Sequence, residues 1–370
     1  MAGRIWSVDS MRLLAMAFIV SIHTDPFRGL GVYGNTLNFV IDSTARFAVP
    51  FFFVTSGYFF ALKVGSRDPT TYFIKRATTI TSLYIFGLLL AFPVFLTGTA
   101  VRAGDTNEAI LHSSLLKIGE FISPVGLLYY GNSVSEILWF LPALLFSLGF
   151  ICLAILSNST KYLLPVSAGL HVIGLLGTSY TMVVDIPFPT RDALFFGFFY
   201  TSLGYWIASS DWQPDSEHSS FYLGATILFS ILHIGERYVL GYVLTGETLA
   251  QGVYTASYTI STVFLTISLF LLLLSRPHLG RSTSVPSWGK YAVGIYVVHP
   301  AVLYVLERTD GPLRQIDIEA TNTILWHLLL TPTTFFGALF VYLAAHKAGL
   351  IEIDGDHLPR LDRIRKQWPY

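Results

Sequence analysis

Runs of about twenty mostly apolar residues recur along almost the whole chain, and each is long enough to cross a bilayer as a helix. Ten can be read, at roughly 7–25, 38–62, 78–97, 136–156, 161–179, 191–209, 219–238, 255–275, 288–306 and 323–346. In hydrocarbon a spanning segment has to satisfy its own backbone polar groups, which a helix does internally. The expected fold is therefore all-α: a polytopic transmembrane helix bundle of about ten helices. Residues 1–350 form the membrane domain and 351–370 a short basic tail. Composition agrees, because only 12% of residues are charged, against about 25% in ordinary soluble domains. A formal net charge of zero gives no electrostatic case for a nucleic-acid partner. The lone Cys152 excludes an intrachain disulfide or a cysteine metal cluster and reads as a small buried hydrophobe. The first run carries its own Asp and Arg and lacks a small-residue cleavage pattern, so it reads as a retained span rather than a signal peptide.

Cations near the ends of spans set the expected sidedness. Lys63, Arg67, Lys75 and Arg76 cluster in the second connection, and Arg276, Arg281 and Lys290 in the eighth. Arg360, Arg363, Arg365 and Lys366 lie in the tail. With ten spans these segments share one side with Arg4, which places both termini in the cytoplasm, in a plasma or inner membrane. The stretch 98–135 then falls outside. Its segment AILHSSLLKIGEFIS is amphipathic and suits either an interfacial helix or a cover over a pocket.

Ionisable residues inside spans are costly, and their default reading is functional. The first span, WSVDSMRLLAMAFIVSIH, holds Asp9, Arg12 and His23 on close to one helix face. Arg12 and His23 are about 16 Å apart along the axis, so they line two ends of one cavity rather than touch. His23 has the chemistry of a general base toward a hydroxyl; a hydrogen-bonded structural histidine is the rival reading. Arg46 in the second span either holds a substrate group or pairs with Asp42 one turn away. Pro50 should kink that span, and the Ser-Gly at 56–57 permits close helix approach. Lys75 and Arg76 are candidate contacts for donor phosphates, against the ordinary reading of a positive-inside loop. Glu136 and Trp139, one turn apart at the outer end of the fourth span, are candidate acceptor contacts; Glu136 could instead orient a histidine or be a plain helix N-terminal acid, and Trp139 an interfacial-belt residue. His299, just before Pro300, reads equally as a second wall of the site or as a hydrogen-bonded packing histidine. His171, His233 and His327 read as structural singles. No phosphate loop, zinc-protease motif or serine elbow occurs, and no metal ligands pair at a convincing spacing.

Together these segments resemble the acyltransferase-3 family of integral membrane acyltransferases. VDSMRLLAMAFIVSIH is similar to its opening pattern, RFAVPFFFVTSGYFF to its second-helix run, YFIKRATTI to its basic segment and WGKYAVGIYVVHP to its late segment ending in histidine. LWFLPALL adds a weaker likeness, and the resemblance runs from about residue 5 to 346. It implies a ten-helix domain that takes cytoplasmic acyl-CoA, usually acetyl-CoA, and O-acylates a carbohydrate or glycolipid acceptor. It implies His23 as base, Arg12 with Asp9 on the donor path, Arg46 in the cavity and Lys75 with Arg76 at the donor phosphates. Thr79 stands where the family often has a second arginine in the basic segment. The chain resembles the stand-alone kind without a hydrolase-like domain. The rival class is a transporter or lipid-linked sugar translocase, since interior Arg, Asp and His also suit a proton-coupled carrier.

Overall fold

The computed structural model of the protein describes residues 4–102, 106–184, 186–210, 212–308 and 320–351; the basic tail beyond 351 lies outside them. Every regular element among the described residues is helical. In order they are α1 (Trp6–Thr24), α2 (Gly31–Ala45), α3 (Ala48–Val64), α4 (Pro69–Arg102), α5 (Asn107–Phe121), α6 (Phe140–Leu156), α7 (Leu163–Thr178), α8 (Phe198–Ser209), α9 (Ser219–Tyr238), α10 (Ile260–Ser275), α11 (Val285–Trp288), α12 (Ala292–Arg308) and α13 (Ile324–Lys347). Among the described residues five helical runs are long and apolar enough to cross a membrane: Gly31–Val64, Pro69–Ala100, Ser219–Val243, Val285–Arg308 and Ile324–Lys347. The other expected segments are helices that are shorter or more polar.

Three differences from the sequence reading have local causes. The second span is two helices, and the break falls at Arg46–Phe47 rather than at Pro50. Pro50 has no N–H to give to the Arg46 carbonyl, so it fits the first turn of α3, where such donors have no helical partner anyway. The fourth helix starts at Phe140, four residues after Glu136, because residues 136–139 run as a turn. The sixth segment opens as a π-turn at Ala193–Gly197 before α8. Asp68, just ahead of α4, accepts the Thr71 backbone N–H at 2.7 Å, and that bond holds its carboxyl below the usual carboxylate range.

Helix α1 is the hub and packs against α2, α3, α10, α11, α12 and α13. Its N-terminal end is pinned by backbone: a Cβ on Gly289 would lie 2.3 Å from the Asp9 carbonyl oxygen, so the α11–α12 junction sits directly on α1. The α3–α8 pair is equally close. A Cβ on Gly57 would fall 1.9 Å from the Thr201 carbonyl oxygen, and one on Gly204 falls 1.9 Å from that of Val54. The expected close approach at Gly57 is thus met by a second glycine on the partner helix, the small-residue device of membrane helix pairs.

Candidate active site

The two ends of α1 have different chemistry. At the first end Asp9 accepts from Arg4 Nε at 2.7 Å and from Arg12 at 3.1 Å. Arg4 also donates to the Pro286 carbonyl at 2.9 Å, which ties α1 to α11. The Arg12 guanidinium lies over the Phe59 ring at 5.0 Å, and the charge of Arg76 on α4 reaches it. Asp9 thus joins Arg4 and Arg12, and the charge of Arg76 on α4 adds to the positive field at this end. Lys75 is beside Arg76 on α4, and its carbonyl accepts the Thr79 hydroxyl at 3.1 Å.

At the other end His23 lies in the last turn of α1, two residues before the left-handed Asp25 that stops the helix. Arg12, Met16, Ile19 and His23 follow one another at spacings of four, three and four, which is one helix face. Met16, Ile19 and His23 line a narrow crevice whose free volume is only about 20 Å³, closed by Val49, Phe52, Trp139, Phe140 and Tyr296. Its wall is almost wholly apolar, where the sequence suggested a polar cavity. His23 also borders an open vestibule of about 740 Å³, whose half-polar lining includes Asn132, Ser133, Ser135 and Glu136. One imidazole thus stands between an apolar chamber inside the bundle and a wide polar mouth. It is half-buried and takes no hydrogen bond from the described residues.

The sequence candidates are divided by this partition. Trp139 faces the apolar chamber and Glu136 the vestibule, although they are three residues apart. The turn at 136–139 splits them in a way that a helix would not. His299 is fully buried on α12 with its ring centroid 5.5 Å from that of His23. Lys117 and Glu120 of α5 border the vestibule as an ion pair, so the amphipathic helix covers the pocket. Arg12 and Asp9 belong to the far end of the same face and do not approach His23.

Arg46 does pair with Asp42, through Nε at 3.0 Å and Nη2 at 2.6 Å. The same carboxylate accepts Arg237 Nη2 at 2.6 Å. Arg237, which the sequence reading did not single out, is fully buried and donates to Ser43 and to the Tyr254 and Ala256 carbonyls. A charged residue at that depth is itself a signal. Arg191 was passed over as well. It precedes α8, is exposed, and lies over the Trp139 ring at 5.3 Å while donating to Ser257 Oγ at 3.2 Å. It makes no ion pair among the described residues. The charges of Arg46 and Arg191 both reach His23, and that of Arg191 also reaches Glu136. A cation on the side that cation counting left poor was the available clue.

His171, His233 and His327, read from the sequence as structural singles, each find a partner inside the bundle through a ring nitrogen. His171 stacks on Phe199 with centroids 4.4 Å apart and bonds the Phe195 carbonyl. His233 bonds Thr259 and Ser261, and His327 accepts the Phe27 N–H at 2.9 Å. Cys152 is buried and unpaired.

A family model described as an acyltransferase domain matches residues 5–343. A serine/alanine racemase of Enterococcus gallinarum is 26% identical over 355 residues, which is 90% of this chain and 45% of the relative. Two amino-acid racemases of Enterococcus faecalis are 25% and 28% identical over 241 and 222 residues, or 61% and 55% of this chain. Those segments are 30% and 29% of the relatives. The chain spans less than half the length of these relatives, which extend well beyond the shared part. No solved structure matches the chain. The family match covers nearly all of it, and with its apolar helices the chain is an integral membrane protein that belongs to the acyltransferase-3 family.

Proposed function

We propose that the chain is a membrane O-acyltransferase that passes an acyl group, in the default case acetyl, from cytoplasmic acyl-CoA to a hydroxyl of a carbohydrate or glycolipid. The observation that carries this reading is the position of His23 between an apolar chamber and a polar vestibule. A sugar suits the wide mouth, and the apolar crevice, which as it stands has room for about one water, admits the acyl end of the thioester as its walls part. In this reading about ten segments span the membrane, with the Asp9 end of α1 toward the cytoplasm.

The donor's phosphates bind at the Arg12, Lys75 and Arg76 cluster, and its arm follows the face of Met16 and Ile19 to His23. The acceptor hydroxyl enters past Glu136. His23 takes its proton as the oxygen attacks the thioester carbonyl; the C–S bond then breaks, and the CoA thiolate regains a proton from the imidazolium. Negative charge builds on the carbonyl oxygen, and a preorganised cation there lowers the barrier. Two of Arg46's nitrogens are committed to Asp42, so Arg191, which has no ion pair among the described residues, is the better placed donor.

The test is transfer by the purified protein in nanodiscs, given acetyl-CoA labelled in the acetyl group and a panel of cell-envelope glycans and glycolipids. Label on a glycan that disappears with His23→Ala supports the reading. Equal labelling by that variant, folded, contradicts it. A carrier is the second reading, favoured by the buried Asp42–Arg237 charges and by relatives named for free amino acids. It predicts unmodified amino acid crossing the bilayer of proteoliposomes.

A further inference from the structure

His299 is held in one tautomer by its neighbour. Residue 300 is a proline inside α12, so it has no backbone N–H for the carbonyl four residues back, which is Tyr296. That carbonyl instead meets His299 Nδ1 at 2.7 Å, with the Ile295 carbonyl at 3.3 Å. Both partners are acceptors only, so Nδ1 carries the proton and donates. Nε2 of the neutral ring is then a lone-pair acceptor. It is buried, and the described residues give it no hydrogen bond.

An unpaired buried acceptor is costly, and one in a native structure calls for an explanation. The ring beside it is His23, at 5.5 Å between centroids and tilted by 37°. That separation fits an N–H···N bond of about 3 Å plus a ring radius on either side. No such bond is made in the present rotamers; the pairing requires the half-buried His23 ring to turn toward Nε2.

We propose that His299 is a positioning residue for His23: its Nε2 accepts the N–H of the His23 nitrogen that faces away from the acceptor hydroxyl. The proposal rests on the acyl-transfer reading for its kinetic consequences and on geometry alone for the pairing. When His23 removes the hydroxyl proton at one nitrogen, its other nitrogen keeps its own proton and shares it with His299. No proton is transferred onward. The bond orients the base and stabilises the imidazolium, as a carboxylate does in other hydrolytic and transfer sites. Pro300 is the part that keeps the acceptor available, since a residue with an N–H at that position would compete for the Tyr296 carbonyl.

The sign of the pH effect follows. A partner that stabilises the imidazolium raises the pKa of His23, and its loss lowers it. The base works deprotonated, so the acid limb of the kcat profile moves to lower pH when His299 is lost, while kcat itself falls because the base is weaker and less oriented. The other charged or titratable groups facing His23 are Arg46, Arg191, Glu136 and Tyr296, with Lys117, Glu120, Tyr304 and Glu307 further out in the vestibule. None of these is altered by the variants below.

His299→Phe keeps the ring volume and should lower kcat roughly 10- to 100-fold, leave KM for the donor near wild type, and shift the acid limb downward. His299→Gln, whose amide oxygen reaches the Nε2 position, should restore part of the turnover. Pro300→Ala should give a smaller loss in the same direction. The pairing is read without turnover from 15N spectra of histidine-labelled wild type in nanodiscs, which report the tautomer of His299 and the titration of His23. An Nδ1–H tautomer, with a His23 midpoint that falls in His299→Phe, supports the pairing even if no transfer is ever found, in which case only the acyl-transfer reading fails. An Nε2–H tautomer, or folded His299→Phe with an unmoved His23 midpoint, overturns it. If His299→Phe does not fold, the wild-type tautomer and the Pro300→Ala midpoint decide in the same way.

Discussion

At the scale of single residues, the site is arranged around charges that a bilayer tolerates only when paired. Asp42 is 2% exposed and holds both Arg46 and the fully buried Arg237. Removing its charge leaves two guanidinium groups facing each other in a low-dielectric interior. Asp42→Asn should therefore destabilise the protein by about 3–5 kcal/mol, seen as a lowered melting temperature in detergent. An unchanged melt would mean that the two cations find other partners. Arg191 differs because it is exposed and unpaired, so its loss should not unfold the chain. Arg191→Gln should lower kcat by roughly 10²- to 10³-fold, the effect of removing one oxyanion donor, with KM for the donor little changed. A rise in KM at constant kcat would instead make it a ground-state binding residue. Of these groups Asp42 and Arg46 were legible at four-residue spacing. Arg191 and Arg237 were not, because their partners come from distant segments: Trp139 for one, Asp42 for the other.

At the scale of elements, sequence patterns placed the helices better than they placed the breaks. Apolar runs mark where a helix is required, and each expected run contains one. The interruptions follow from backbone details that hydropathy does not carry. Pro50 shifts the α2–α3 break back to Arg46, and the turn at 136–139 separates Glu136 from Trp139. The α3–α8 crossing was half legible. The Ser-Gly at 56–57 announced it, but its partner Gly204 sits in a run with no comparable mark. Gly57→Ala and Gly204→Ala should each destabilise by about 1–3 kcal/mol, the usual range for overpacking, since each new methyl meets a backbone oxygen that cannot move aside. Thermal unfolding monitored by tryptophan fluorescence checks this, with Gly224→Ala, which has open space around it, as the control that should not change.

At the scale of the whole molecule, a single helix joins two environments. The Asp9 end of α1 carries cations from α1 and α4, and the His23 end opens to the vestibule. The sequence made the two ends visible through Arg12 and His23 on one face. It did not reveal that Met16 and Ile19 between them border an apolar chamber, because its other walls come from residues near 50, 140 and 295. If donor phosphates bind at the first end, Arg76→Glu should raise KM for acyl-CoA about tenfold or more, with kcat preserved. A fall in kcat at constant KM would argue against a donor site there. The most direct test of the account uses sealed proteoliposomes oriented with the Asp9 end inward. Labelled acetyl-CoA is enclosed and a glycan acceptor is supplied outside. The account predicts label on the outer acceptor with wild type and none with His23→Ala; label that reaches the acceptor equally well without the imidazole would contradict it.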